Sequence, residues 1–140
     1  MLPLETPDTA GWFEGARRGE LRIQACLACG RLRHPPGPRC PWCHSAGQEW
    51  RTVSGEGRVW SFVVPHPPLL PGFSELAPYN VVIVELVEDP TIRVTGQLVA
   101  RAGDAPGDLD PSTIVIGEPV RAVFVPVEDV GFLQWQRATT

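Results

Sequence analysis

The amino-acid sequence predicts a mainly β protein in which a short helix precedes a small cysteine-bearing module and a β-barrel. Sixteen prolines and fourteen glycines among 140 residues favour strands and turns over a helical bundle. Four cysteines form two Cys-x-x-Cys pairs, and short β-branched or alternating segments dominate the chain after residue 49. We therefore expect a helical segment over residues 1–19, the cysteine module over 20–50 and the barrel over 51–140.

Residues 9–18 are predicted to form a short amphipathic helix. Trp12, Phe13 and Ala16 lie on one side of it, and Gly19 suits its C-terminal stop. A helix this short is marginal alone, so its apolar side must pack against something. Two interpretations stay open at this point: the helix packs on its own domain, or Trp12 and Phe13 bind a partner subunit.

After a strand at residues 20–25, the two cysteine pairs predict one tetrahedral metal site. Its ligands are Cys26, Cys29, Cys40 and Cys43. Two residues between paired thiolates let both sulfurs reach one ion, and four thiolates leave no open position for a substrate. We therefore expect one structural zinc per chain, in a zinc ribbon. Rubredoxin-type iron has the same ligand set and stays open. His34 and His44 lie nearby, but four thiolates suffice without them.

The remaining chain predicts a small Greek-key barrel of the OB type, with about five strands. The predicted strands cover residues 50–53, 58–64, 80–87, 92–99 and 117–127. A long loop with five prolines, residues 65–79, interrupts them. Residues 132–140 contain Trp135 but give no clear secondary-structure prediction.

Charge is distributed unevenly between the cysteine module and the barrel. All twelve basic residues are arginines, and residues 17–51 hold seven of them against two glutamates, a net charge of +5. Residues 52–140 hold five arginines against eleven acids, a net charge of −6. Zinc ribbons and OB barrels both occur in nucleic-acid-binding proteins, so nucleic-acid binding is one function to consider for this chain. The acidic barrel has the wrong charge for it, so we expect no nucleic-acid partner.

The sequence offers no catalytic set. It contains no Gly-x-Ser-x-Gly, no glycine-rich phosphate loop and no His-Glu-x-x-His, and the metal site uses every cysteine. His66, between two prolines, is more typical of a solvent-facing loop than of an acid–base residue. No apolar run reaches about 20 residues, and residues 1–11 lack a signal-peptide pattern, so we expect a cytoplasmic chain without membrane partners.

Several motifs occur together in a recognisable order. They are Trp12-Phe13-Glu14-Gly15, Gly19-Glu20-Leu21, the two cysteine pairs, Gly55-x-Gly57 with Val59-Trp60-Ser61-Phe62, Pro78-Tyr79 before a strand, and Gly117-x-Pro119-Val120. This series resembles the zinc-ribbon/OB-fold family called domain of unknown function thirty-five, from Trp12 to about Val125. The resemblance implies a rubredoxin-like ribbon, an OB barrel and a non-catalytic subunit of a hetero-oligomer.

By the same resemblance, the expected partner is a thiolase-superfamily enzyme or an acyl-CoA hydratase. The accessory subunit would help to form the partner's acyl-CoA site and would contribute no catalytic residue. Arg31, Arg33 and Arg39 are then candidates for binding the phosphates of coenzyme A, since arginine binds phosphate bidentately. The loop at residues 65–79 either borders an acyl channel or is a plain surface loop.

Overall fold

The structure, a computed structural model, describes residues 2–138. Its first part is one helix and a three-stranded antiparallel sheet in the order β2-β1-β3. These elements are α1 (Ala10–Arg17), β1 (Leu21–Cys26), β2 (Leu32–Arg33) and β3 (Gln48–Val53). The sheet brings both cysteine pairs to one end, because the first pair lies at the end of β1 and the second lies between β2 and β3.

The second part is a closed five-stranded barrel in the order β4-β5-β6-β8-β7. Its strands are β4 (Glu56–Val63), β5 (Val81–Leu86), β6 (Arg93–Val99), β7 (Pro119–Val127) and β8 (Val130–Arg137). Neighbouring strands are antiparallel except β6 and β8, which are parallel, and a 3₁₀ turn at Pro111–Thr113 precedes β7. The predicted fold class, a mainly β chain with a short helix, a cysteine ribbon and an OB-type barrel, is confirmed.

The closing strand β8 is the element that the sequence did not indicate. It pairs with β7 along its full length, after a tight turn in which Glu128 has a φ of 57°. Hairpin turns are usually recognised in a sequence by a glycine or asparagine at the left-handed position. Glutamate rarely adopts this conformation, so nothing in the sequence indicated the turn. The strand predicted at residues 50–53 belongs elsewhere: it lies in β3, which pairs with β1 from Leu21↔Val53 to Cys26↔Gln48.

One hydrophobic core runs through the barrel and into the ribbon sheet. Trp135 of β8 is fully buried at its centre, and Leu21 and Ile23 of β1 belong to the same cluster as the barrel valines. Gly96 makes room for the indole, since a Cβ there would lie 2.8 Å from Trp135 Cδ1. Ribbon and barrel therefore share their buried surface.

Helix α1 lies between the ribbon and the barrel. Gly11 packs directly on the Trp50 ring of β3, and a Cβ on Gly131 of β8 would lie 2.5 Å from the carbonyl oxygen of Ala16. Trp12 packs on the core, and its ring lies 5.3 Å from that of His34. The helix thus packs on its own chain, as one of the two interpretations expected. Among the described residues, no helix is long and apolar enough to cross a membrane.

Candidate metal centre and adjoining cleft

The four predicted ligands converge at the end of the ribbon. The ligand atoms of Cys26, Cys29, Cys40 and Cys43 all lie within 4.8 Å of one another. The Sγ atoms of Cys26 and Cys43 are 3.5 Å apart, and those of Cys29 and Cys40 are 3.7 Å apart. A tetrahedral zinc with Zn–S bonds of about 2.3 Å needs sulfurs about 3.8 Å apart. The four cysteines are therefore positioned for zinc binding.

Backbone amides of the two turns favour the thiolate form of one cysteine in each pair. The N–H of Cys29 donates to Cys26 Sγ at 3.5 Å and lowers its pKa. In the second turn, backbone N–H groups, first that of Cys43, lower the pKa of Cys40 to about 6. At Cys43 the Ser45 N–H acts to lower the pKa, but neighbouring sulfurs, first that of Cys26, help to raise it to about 11. A dication would relieve this mutual repulsion and hold all four as thiolates.

The seven arginines of residues 17–51 have different partners. Ion pairs join Arg17 to Glu5 and Glu14, Arg18 to Glu14, Arg22 to Glu20, and Arg51 to Glu49. Within residues 2–138, Arg31 and Arg39 have no acidic side chain at ion-pair distance, although Arg39 donates to the His44 carbonyl oxygen. Within residues 17–51, the positive charge available to a ligand is therefore concentrated at Arg31 and Arg39, which are both exposed.

Arg33 has a different environment from the other two coenzyme A candidates. It is only 6% exposed, and its guanidinium donates to the side-chain oxygens of Gln24 and Gln48 and to the carbonyl oxygen of Gly37. These bonds hold the proline-rich connection against β1 and β3. The structure thus gives Arg33 a role inside the ribbon, although the residue also lines the cleft beside the metal centre.

A cleft of about 600 Å³ separates the second cysteine turn from the barrel. Its ribbon side includes Arg31, His34 and Trp42, and its barrel side includes Asp89 and Thr91 from the turn between β5 and β6. Trp42 is 62% exposed, and the Arg31 guanidinium lies over its ring at 4.6 Å. The cleft thus presents a cation on an aromatic face, which suits a ligand that carries both an anion and a flat ring.

Sequence reasoning missed the barrel side of this cleft and the exposure of Trp42. The Pro-Trp dipeptide between Cys40 and Cys43 is a visible signal, because a metal turn has little space to bury an indole. Asp89 and Thr91 carry no such signal. They reach the cleft only through the way β5 and β6 pack beside the ribbon, and the Asp89 carboxylate is already bonded to Thr91.

A tetracysteine ribbon followed by a five-stranded Greek-key barrel defines the zinc-ribbon/OB-fold class of proteins. The family model described as the ChsH2 rubredoxin-like zinc ribbon domain matches residues 13–49, and that of the ChsH2 C-terminal OB-fold domain matches residues 50–125. The chain is also 38% identical over 121 residues to a DUF35 domain-containing scaffold protein of Methanothermobacter thermautotrophicus, covering 86% of this chain and 83% of that protein. The chain belongs to the DUF35 family of ChsH2-type zinc-ribbon/OB-fold proteins.

Two other curated relatives are longer. The probable enoyl-CoA hydratase alpha subunit of Thermomonospora curvata is 44% identical over 84% of this chain, which spans 33% of that protein. The 3-oxo-4,17-pregnadiene-20-carboxyl-CoA hydratase alpha subunit of Mycobacterium tuberculosis is 38% identical over 97% of this chain, which spans 40% of it. The chain thus matches between a third and two fifths of the length of these hydratase subunits.

Among solved structures, a chain of the Ltp2-ChsH2(DUF35) aldolase superposes with a TM-score of 0.81 at 36% identity. The superposition covers 99% of this chain and 100% of that chain. A DUF35 protein of unknown function from Sulfolobus solfataricus, 15% identical with a TM-score of 0.57, shares the fold. The two-part architecture is therefore found along the whole length of a chain from an aldolase.

Proposed function

We propose that this chain is a non-catalytic accessory subunit that binds a thiolase-superfamily or acyl-CoA hydratase-like enzyme and helps to form its acyl-CoA site. The observation that carries the proposal is the likeness, over 99% of this chain, to a chain of the Ltp2-ChsH2(DUF35) aldolase. The names of the relatives also support an accessory role beside an acyl-CoA enzyme, since two are subunits of CoA-thioester hydratases and one is a scaffold protein.

The environments of the three histidines support a role without catalysis. His34 stacks on Trp12, His44 lies in the second cysteine turn, and His66 is in the exposed proline-rich loop. Within residues 2–138, the side chain of His66 makes no hydrogen bond that would orient it as a base. Reactive groups would then come from the partner enzyme.

The cleft beside the metal centre supports binding of coenzyme A jointly with that partner. Arg31 lines this cleft as an exposed cation, and Trp42 presents an aromatic face beside it. Arg39 is exposed at the second cysteine turn but is not part of the cleft lining, and neither arginine has an acidic partner in the described part of the chain. Coenzyme A carries phosphates and an adenine ring, the two chemical features that these side chains recognise. Arg33, the third candidate from the sequence, is mostly buried in the ribbon and also lines this cleft.

Isothermal titration of coenzyme A into the complex with a thiolase-like or acyl-CoA hydratase-like subunit from the same organism tests the ligand part of the proposal. The double variant Arg31→Ala/Arg39→Ala should weaken binding at least tenfold, since hydrogen bonds to charged groups contribute about 1.5–3 kcal/mol each. The control Arg18→Ala/Arg101→Ala makes the same charge change away from the cleft and should alter the affinity less than about twofold. If both double variants lost the same affinity for coenzyme A, the effect would be due to overall charge and not to the two candidate arginines.

Turnover assays test the accessory role. The isolated chain should show no thiolysis, condensation, aldol cleavage or hydration of acyl-CoA substrates, and adding it should raise the activity or stability of the partner enzyme. Sustained turnover by the purified chain alone would overturn the proposal.

Nucleic-acid binding is the second candidate, and one observation favours it. The Arg93 guanidinium lies over the exposed Trp60 ring at 3.8 Å on the outside of the barrel, a cation–aromatic pair that the sequence did not suggest. Stacked aromatics with cations are typical of single-strand binding. However, the residue opposite Arg93 is Glu85, and residues 52–140 carry a net charge of −6. Salt-dependent, micromolar binding of single-stranded DNA or RNA would favour this alternative.

A further inference from the structure

Residues 60–83 are nearly free of charge. Glu75 is the one Asp, Glu, Lys or Arg among these twenty-four residues, whereas the whole chain has twenty-eight such residues in 140. The same segment contains large apolar side chains that are exposed in the structure. They are Trp60, Val63, Leu70, Phe73 and Leu76. An interface core typically lacks charges and contains aromatic side chains, so this composition indicates a binding surface.

Four of these exposed residues form one continuous area with Val81. Val63 and Val81 are directly opposite each other in the β4–β5 ladder and so share a face. Val81 lines a small hollow with Phe73 and Leu76, and Phe73 lines the adjoining hollow with Leu70. We call these five residues the apolar surface. Its most exposed members are Leu70, at 74%, and Val63, at 62%.

A row of charged residues borders this area on the same side of the barrel. In the strand ladders, Arg58 is opposite Glu85, and Glu85 is opposite Arg93. The next paired row towards the loop is uncharged, with Ser61 opposite Ile83. An apolar centre with a polar border is the arrangement found at protein–protein interfaces.

The loop that carries most of the apolar surface is held in a defined shape. Backbone hydrogen bonds link Phe73 to Leu70 and Leu76 to Phe73, and Ser74 Oγ donates to the Leu69 carbonyl oxygen. A Cβ at Gly107 would lie 3.1 Å from the Pro78 carbonyl oxygen, so a second loop packs closely on this one. A pre-formed loop loses little conformational entropy on binding, which favours association.

We propose that the apolar surface docks the acyl-CoA enzyme subunit through an uncharged, apolar face of that enzyme. The inference rests on the proposed function, because that function requires a partner and helix α1 packs on its own chain. The lack of charge on the apolar surface favours an uncharged protein face as the binding partner. With one carboxylate and no arginine between residues 60 and 83, the surface suits neither phosphate-rich nucleic acid nor an anionic lipid headgroup. A permanent apolar partner covers these side chains, which otherwise stay in water.

Binding of the full chain to a purified thiolase-like or acyl-CoA hydratase-like subunit from the same organism tests the inference. Phe73→Asp and, separately, Leu70→Asp should each raise the dissociation constant at least tenfold. Ile116→Asp is the matched control, since Ile116 is 61% exposed outside the apolar surface, and it should change the constant less than threefold. All three chains should melt within a few degrees of the wild type, because each side chain is exposed.

Hydrogen exchange of the unaltered complex gives a measurement that needs no variant, and amides of residues 69–81 should be protected on binding. If the wild-type chain binds but both aspartate variants bind equally well, the docking inference fails and the proposed function stands. If the wild-type chain does not bind the enzyme at all, both fail. Concentration-dependent dimerisation of the isolated chain that Phe73→Asp abolishes would assign the surface to a second copy and overturn the inference.

Discussion

Within the metal centre, the backbone amides of the turns are as specific a feature as the sulfurs. The N–H groups of Cys29 and Trp42 point at the sulfurs of Cys26 and Cys40, so the fold favours the thiolate form of two of the four cysteines. Neighbouring His44 has a φ of 66° and its N–H bonds to the Cys40 carbonyl oxygen, which completes the turn. The hydrogen bonds within the two turns are thus enough to position the four sulfurs, without a side chain from outside the turns.

Replacing one ligand should abolish metal binding and unfold the ribbon. Cys40→Ser removes one of the two cysteines whose pKa the turns lower, and structural zinc in such sites contributes on the order of 10 kcal/mol to folding. Elemental analysis should find about one zinc per wild-type chain and almost none in the variant. His44→Asn is the control, because asparagine tolerates the left-handed backbone and the residue is outside the ligand set. Iron in the wild type, or a fully folded zinc-free Cys40→Ser, would contradict the structural zinc site.

His34 should make stability depend on pH. Burial against Trp12 lowers its pKa below the ordinary value of 6.5, so the unfolded chain takes up this proton first as the pH falls. The free energy of unfolding should therefore decrease below about pH 6.5 until the folded protein also binds the proton. Urea melts from pH 7.5 to 5.5 should show a flatter profile for His34→Gln than for the exposed-loop control His66→Gln. If the free energy of unfolding of both variants depended on pH in the same way, His34 would not be the cause of the pH dependence.

Helix α1 connects the ribbon to the barrel. Its glycine-mediated contacts let the backbone approach Trp50 on one side and Gly131 on the other, and Trp12 fills the space between. Phe13 is half-buried and does not belong to the core cluster. Of the two residues predicted to bind a partner, Phe13 therefore remains the better candidate, and Trp12 has a structural role within the chain.

Single substitutions in the helix should separate these two roles. Trp12→Ala should lower the stability of the isolated chain by roughly 2 kcal/mol, about 4–8 °C in melting temperature, because it empties space beside the core. Phe13→Ala should cost the isolated chain about half as much. Differential scanning calorimetry measures both. Equal and negligible losses would mean that the helix is not fixed on its own chain and would restore both residues as partner contacts.

How much the sequence could predict depended on whether a residue's role is local. The two cysteine pairs identified all four converging sulfurs, since the Cys-x-x-Cys spacing brings the two sulfurs of each pair together in one turn. Strand β8 was not predicted, because its turn uses Glu128 in a conformation that glycine usually supplies and its pairing partner β6 is distant in the chain. Arg33 and Arg31 are two positions apart in the sequence, yet only tertiary packing buries the first and exposes the second.

Across the whole molecule, the shared core makes ribbon and barrel one cooperative unit. Leu21 and Ile23 of the ribbon pack in the same cluster as Val59 and Trp135 of the barrel. Disordering the ribbon would expose the side of the barrel core that β1 covers. Stability gained from metal binding is therefore passed to the barrel.

Metal removal should consequently lower the melting temperature of the entire chain. With a strong zinc chelator present, calorimetry should show one transition at a lower temperature, and the near-ultraviolet signal of buried Trp135 should disappear in that same transition. Two transitions, with the upper one unchanged by the chelator, would show that the barrel is stable independently of the ribbon.

The parallel pairing of β6 with β8 also orders events during synthesis on the ribosome. All four cysteines and β3 emerge before any barrel strand, so the ribbon can take up its metal before the barrel strands have left the exit tunnel. Strands β4, β5 and β6 then form a meander whose β4 edge pairs with β7 and whose β6 edge stays open until Val130–Arg137 arrives. A nascent chain halted at residue 125 would present the unpaired β6 edge and an unfilled Trp135 position to chaperones and to neighbouring chains.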